Sequence, residues 1–433
     1  MSDREARENA GRVVVTGLGV VSPNGCGLET YAEALQGGVS GIRHFPLLEE
    51  LKFGCTVGGI PEGVDEISEA YFPPHELLAM NSSHRFGCIA AVDAWTDAGL
   101  ERPDRADDRV YWEAGAIIGT GIGGLDTAGE KLVPFVDAGR TRRLGSTMVE
   151  QVMGSGVSAR VAGLFSLGNQ VTANSSACST GTEAIIEGFQ RIRAGLAERM
   201  LCGGTEGSSH YNWAGFDAMR VLCRAHNDEP EKASRPMSAS AGGFVPGSGA
   251  AVLHIESLES AQGRGARIYA EILGGAINCG GHRGGGSMTA PNPEGVQQCI
   301  RTAVAAAAID PEEIDAISGH LTATGADPKE MASWAKGLDR SPETFPVITS
   351  TKSMIGHALG AAGALESVAC MLMLRDRVVH PSINCEDVHP EIESYSDSIP
   401  HAVREMPELN TMIKAGFGFG DVNACVIFRR WAD

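Results

Sequence analysis

Cys178 stands in NSSACSTGTEAII (174–186), where a strand-like run gives way to a helical pattern and small neighbours leave the sulfur uncovered. A thiol at a helix start feels the positive end of the helix dipole and free backbone N–H groups, which favours thiolate and so attack on an acyl carbon. Ser179, Thr180 and Thr182 are available to cap that helix. Most cysteines are small buried hydrophobes, so among eleven it is this context that singles out Cys178. His320 stands with Thr322 and Thr324 in SGHLTATGADPKE (318–330), and Lys352 and His357 stand in STKSMIGHALGAAGALESV (350–368). A lone histidine is most often a satisfied core or surface side chain. Two histidines and a lysine, each just after a strand-like run, are instead the groups that would move protons and steady charge beside a nucleophile. GFGFGDVNA (416–424) is a glycine-spaced turn that can bring backbone N–H groups against a developing oxyanion. GTGIGG (119–124) formally matches the dinucleotide fingerprint, but a poor apolar helix follows it and it is not in the first strand–helix unit. No P-loop, HExxH or GxSxG occurs.

The elements that must position these groups alternate along the chain. Strand-like runs fall at 12–21, 114–121, 170–178, 199–207, 249–256, 267–275, 346–353 and 423–430, with helical patterns such as 182–195 and 295–309 between them. Such alternation predicts α/β layers with mostly parallel central strands. The chain also echoes itself. GGFVPGSGAAVLHIE (242–256) and AGFGFGDVNACVIFRR (415–430) share a Gly-Phe-X-X-Gly turn and a closing strand, and the Cys178 segment pairs with the His357 segment as strand, small-residue turn and helix. Duplication places catalytic groups from equivalent turns face to face across a pseudo-dyad. The expected organisation is a loose tail over 1–11, an N-terminal half over 12–262 carrying Cys178, and a C-terminal half over 263–433 carrying His320, Lys352, His357 and Phe419.

Composition narrows the partners. A 433-residue chain that is 43% hydrophobic can bury a large core. A net charge of −19 would repel nucleic acid or an anionic membrane surface. Eleven cysteines without regular spacing fit a reducing cytoplasm rather than a disulfide framework. The polar first residues read as a loose tail with no signal-peptide core, and no apolar run approaches the roughly 20 residues that span a bilayer. Arg140, Arg142 and Arg143 form a rare basic cluster on this acidic chain, suited to docking an acidic partner.

Together, NSSACSTGTEAI, the His320 motif, STKSMIGHALGAAGALE and GFGFGDVNA resemble the elongating 3-oxoacyl-[acyl-carrier-protein] synthases of the thiolase superfamily, from about Val13 to Phe428. The resemblance implies a thiolase-like five-layered α/β/α/β/α fold of two duplicated halves, a homodimer, and decarboxylative Claisen condensation with malonyl carrier protein. It implies that Cys178 accepts the acyl chain and that His320 and His357 assist decarboxylation and steady the enolate. Lys352 would organise the site electrostatically, with Glu330 as its accompanying acid. Backbone N–H groups of Cys178 and Phe419 would form the oxyanion hole, the Phe419 ring a gate, Thr322 and Thr324 the contact to the phosphopantetheine arm, and Ile122 part of the acyl tunnel. No metal or bound cofactor is implied, the carrier's phosphopantetheine serving as the substrate handle.

The chain departs from the family pattern beside the site. Leu321 replaces a glycine, Ala241-Gly242 an Arg-Asp, Ser248 an acid, and Gly420-Asp421-Val422-Asn423 a Gly-Gly-Thr-Asn. These changes suggest a branch serving a specialised polyketide, polyene or unusual fatty acid. A degradative thiolase is not expected to carry both histidines, and a chain-initiating synthase would show asparagine at 357. The rival from another class is a non-catalytic chain-length partner in a heterodimer, against which the retention of Cys178, His320, His357 and Lys352 argues.

Overall fold

The computed structural model describes residues 11–432, so the expected tail over 1–11 lies outside the described residues apart from Gly11. Ten strands form the path of the main sheet: β1 Val13–Ser22, β2 Ala114–Gly119, β3 Val171–Thr172, β4 Arg199–Glu206, β5 Gly249–Ser257, β6 Ala270–Cys279, β7 Ala316–Ser318, β8 Val347–Thr349, β9 Thr411–Gly418 and β10 Val422–Arg430. Their order is β8-β7-β9-β10-β6-β1-β5-β4-β2-β3. Read from each outer edge inward, both halves run third, second, fourth, fifth, first, which is the duplication that the sequence echoes announce. The halves meet where Val13–Val15 of β1 pair antiparallel with Ala270–Ile272 of β6.

Two helices at equivalent places, α3 Thr180–Arg193 and α6 Ala362–Asp376, each touch strands of both half-sheets and so form the middle layer. Outside lie α1 Ser82–Asp97 and α2 Gly156–Phe165 on one half, and α4 Pro293–Ala307 and α5 Asp327–Leu338 on the other. This is the expected five-layered arrangement. Burial explains the strand composition: β1 is apolar or small throughout and wholly buried, because helices cover both its faces. In α6, Ala362 to Leu374 are all buried, so small and apolar residues occupy every side of the helix rather than one stripe.

The expected parallel centre is not what the chain builds. Among the strands of the main sheet described, β3-β2-β4 and β8-β7-β9 pair parallel, while β4, β5, β1, β6, β10 and β9 pair antiparallel in succession. The connection between β9 and β10 is three residues long, which permits a hairpin and forbids the crossover a parallel pair needs. The run 170–178 also yields less strand than expected. Only Val171–Thr172 pair, because the Thr180 hydroxyl takes the Ser176 N–H at 2.9 Å and turns the backbone out of the sheet. No helix among the described residues is long and apolar enough to cross a membrane.

Candidate active site

Cys178 occupies a one-turn 3₁₀ segment, Ala177–Ser179, between the end of β3 and the start of α3. Ala177 holds φ at +49°, and the Thr180 hydroxyl donates to its carbonyl at 2.7 Å, which fixes the turn and presents the sulfur. The expected capping does not occur. Ser179 Oγ donates instead to the Gly416 and Val422 carbonyls at 2.9 and 3.0 Å, tying the nucleophile turn to the β9–β10 hairpin. Gly181 of α3 and Gly363 of α6 allow the two central helices to touch, since a Cβ on either would press into backbone of the other segment.

Chains from opposite halves converge here. His357, in the turn before α6, places Nε2 3.0 Å from Cys178 Sγ. His320, after β7, packs its ring nearly perpendicular to that of His357 with centroids 5.3 Å apart. One nitrogen of each histidine and the sulfur all lie within 4.8 Å of one another. That spacing and those atom types would also suit a soft metal ion. The Leu359 N–H, however, donates to His357 Nδ1 at 3.2 Å. The neutral ring therefore carries its proton on Nε2, which leaves no lone pair for a metal and aims an N–H donor at the sulfur and the space beside it. Burial, reinforced by the Lys352 and Lys414 ammonium groups, holds both histidines well below the ordinary imidazole range, so they are neutral donors.

Cys178 itself does not follow the dipole expectation. Burial pushes its thiol up to about 11, against the opposing pull of Lys352 and of the Phe419 backbone N–H that donates to the sulfur. Desolvation of a charged sulfur outweighs a helix end worth about 1 kcal/mol.

The sulfur and both histidines open onto a cavity of about 810 Å³, lined mainly by apolar side chains. Ile122, Thr322, Thr324, Glu330 and Phe419 are on its walls, and the Phe419 ring leans on Phe216 with centroids 6.1 Å apart. Thr322 and Thr324 bring their hydroxyls within 3.1 Å of each other. Lys352 lies behind the trio, 1% exposed. Arg140, Arg142 and Arg143 form an exposed turn, and none of them lines the cavity.

Three carboxylates shape the loops around the trio. Glu330 accepts the backbone N–H of His320 at 2.6 Å and of Leu321 at 2.8 Å, and Trp334 Nε1 at 3.1 Å. Asp327 accepts from the N–H groups of Met237, Thr322 and Ala323 at 2.9, 2.9 and 3.1 Å. Glu206 takes those of Gly121, Ile122 and Gly360 at 2.9, 3.0 and 2.9 Å. Glu330 is thus a support of the His320 turn and not the acid that accompanies Lys352. That acid is Glu366 of α6, which ion-pairs with Lys352 and, at 2.9 Å, with Lys414 of β9. Sequence reading missed Glu206, Glu366 and Lys414. The available signal was a charged residue in an otherwise apolar or small-residue element, which is costly unless paired.

Comparison with known proteins agrees with this geometry. Residues 10–261 match the model of the beta-ketoacyl synthase N-terminal domain, and residues 269–386 that of the C-terminal domain. The 3-oxoacyl-[acyl-carrier-protein] synthase 2 of Rhizobium meliloti (strain 1021) is 35% identical, the alignment covering 97% of this chain and 99% of the relative. A ketosynthase bound to the hexaketide and in complex with its type II PKS acyl-carrier protein superposes with a TM-score of 0.86 at 29% identity, over 97% of this chain and 99% of that one. The ishigamide ketosynthase/chain length factor superposes with a TM-score of 0.85 at 30% identity, again over 97% and 99%. With a nucleophile and two neutral histidines assembled from two duplicated halves, and with relatives aligned over 97% of its length, this chain belongs to the beta-ketoacyl synthase family of condensing acyltransferases.

Proposed function

We propose that the chain extends carrier-bound acyl groups by two carbons per turn, with Cys178 as the acyl-accepting residue. The observation that carries this reading is the junction of Cys178 Sγ, the His357 Nε2–H donor 3.0 Å away and His320 on the floor of an apolar cavity. The sulfur attacks the thioester carbonyl, whose oxygen charge is met by the N–H groups of Cys178 and Phe419, and the thiol proton leaves on the departing phosphopantetheine sulfur. Malonyl carrier protein then enters, with His320 and His357 donating to its thioester oxygen. Loss of carbon dioxide leaves an enolate that these donors stabilise, and its carbon attacks the acyl group while Cys178 sulfur departs and regains a proton from water. Lys352 and Glu330 act by holding charge and backbone around the histidines. Thr322 and Thr324 contact the phosphopantetheine arm, Ile122 walls the acyl tunnel, and Arg140, Arg142 and Arg143 dock the carrier.

A homodimer in a reducing cytoplasm completes the reading. All eleven cysteines are free thiols. The sheet edge at β3 is flanked by Trp112 and Leu196, 71% and 59% exposed, both tethered through their carbonyls to Asn169, which makes an apolar edge that a second copy would cover.

The two half-reactions separate the roles. Cys178→Ala is expected to abolish acyl-enzyme formation and condensation while keeping malonyl decarboxylation measurable. His320→Ala or His357→Ala is expected to impair decarboxylation and still allow acylation, read by intact-protein mass spectrometry. A wild-type chain that neither acylates on Cys178 nor decarboxylates malonyl carrier protein, and becomes active only with a second ketosynthase subunit, would replace this reading with that of a partner subunit.

A further inference from the structure

We infer that Lys414 is a second cationic residue of the active site, a positioning residue that sets the potential felt by Cys178 and the two histidines through the shared carboxylate of Glu366. The inference rests on the reaction proposed above and adds a residue that the reaction does not name.

Lys414 is fully buried on β9, shut off from bulk solvent. It donates to Thr182 Oγ1 at 2.9 Å and to the Ala415 carbonyl at 2.6 Å, and pairs with Glu366 Oε2 at 2.9 Å. The other oxygen of Glu366 receives Lys352. One carboxylate thus serves two ammonium groups, an arrangement in which neither cation is fully neutralised. A Lys352–Glu366 pair alone would balance charge but leave the buried Glu366 Oε2 without a partner, so Lys414 both engages that oxygen and adds a second positive charge. The placement is local to the chemistry: Thr182 lies one turn into the helix that Cys178 opens, and Lys414 lies on the strand that delivers Phe419.

The charges facing the trio decide the effect. Cys178 faces Lys352, Glu366 and Glu206, with His357 and His320 beside it, and both histidines feel Lys352 and Lys414. Lys414 faces Glu366, Lys352 and the Cys370 thiol. Glu206, Asp327 and Glu330 are all tied to backbone N–H groups. Without Lys414 the ammonium of Lys352 would be matched by the carboxylate of Glu366. With it the ion-paired group behind the sulfur carries one net positive charge. Lys414 therefore disfavours imidazolium at His320 and His357, and favours the negative charge that arises on sulfur and enolate in turn.

Lys414→Met tests this, since it leaves a one-to-one Lys352–Glu366 pair in a buried apolar slot. At fixed pH 8, alkylation of Cys178 by iodoacetamide, followed on its peptide by mass spectrometry, is expected to slow by about tenfold, one pKa unit. The acid limb of malonyl decarboxylation is expected to move to higher pH, because the histidines protonate more readily, and Lys414→Arg is expected to restore both. A folded Lys414→Met chain with the wild-type alkylation rate and acid limb overturns the inference. Should that variant not fold, Lys414→Gln keeps a donor toward Thr182 and Glu366 while removing the charge, and the same two readouts decide. Alkylation needs no carrier substrate, so a wild-type chain without decarboxylase activity would count against the proposed reaction and not against the role of Lys414.

Discussion

Burial and charge pull Cys178 in opposite directions, and their balance sets how the enzyme rests. The thiol, pushed up to about 11 by burial, favours a neutral sulfur in the free enzyme at neutral pH. Since the fraction of thiolate rises with pH until that value is reached, carboxymethylation of the Cys178 peptide should accelerate about tenfold per pH unit from 7 to 10. A plateau near pH 8 would mean that the dipole and Lys352 had won after all. The same residue shows where sequence reading stops. SSACSTG locates a nucleophile turn and names plausible caps, yet the decisive quantity, how deeply the sulfur is desolvated, depends on Phe419 and His357, which arrive from the other half of the chain. His320, His357 and Lys352 were legible because each follows a strand in a small-residue context. Their partners Glu366 and Lys414 were not, since pairing across 48 positions leaves no local pattern.

Departures from the family pattern acquire meaning at the scale of elements. Asp421 stands at φ +60° in the turn between β9 and β10, where glycine is the easier residue. Its carboxylate compensates by accepting the Asn292 N–H at 2.7 Å and the His282 N–H at 3.0 Å, while its carbonyl accepts from Gly280 at 2.9 Å. One side chain thereby fastens the segment 280–292, whose Gly284, Gly285, Thr289, Ala290 and Pro291 line the cavity, to the turn that carries Phe419. Leu321, another departure, holds φ at +22° but buries its side chain completely, and burial of a leucine outweighs strain of roughly 1–3 kcal/mol. Asp421→Ala keeps the strained backbone and removes the fastening, so trypsin should cut after Arg283 several-fold faster and the Michaelis constant for carrier-bound substrates should rise. Unchanged proteolysis would show that the segment is held by its other contacts. The element order was readable from alternation of strand and helix, whereas strand direction was not, because hydrophobic runs look the same whether a buried neighbour is parallel or antiparallel.

Across the whole molecule the formal charge of −19 sets the terms on which any acidic partner approaches. A carrier protein of like sign would be repelled by most of the surface, so productive encounter needs a local patch of opposite sign. Arg140, Arg142 and Arg143 provide three exposed guanidinium groups on one turn, held by the Arg143 N–H donating to the Arg140 carbonyl at 2.8 Å. No carboxylate pairs with any of the three in the ion pairs among the described residues, which leaves their charge available to a partner. Exposed attraction of this kind acts mainly on encounter and is screened over about 8 Å at physiological salt. Reversing all three to glutamate should therefore raise the Michaelis constant for acyl carrier protein several-fold at low ionic strength. The difference from wild type should shrink toward unity near 0.5 M salt, while turnover at saturating substrate and the decarboxylation of a small malonyl thioester stay unchanged. A loss that persists at high salt, or that extends to the small thioester, would mean that the turn supports the fold or the cavity and that the carrier approaches elsewhere.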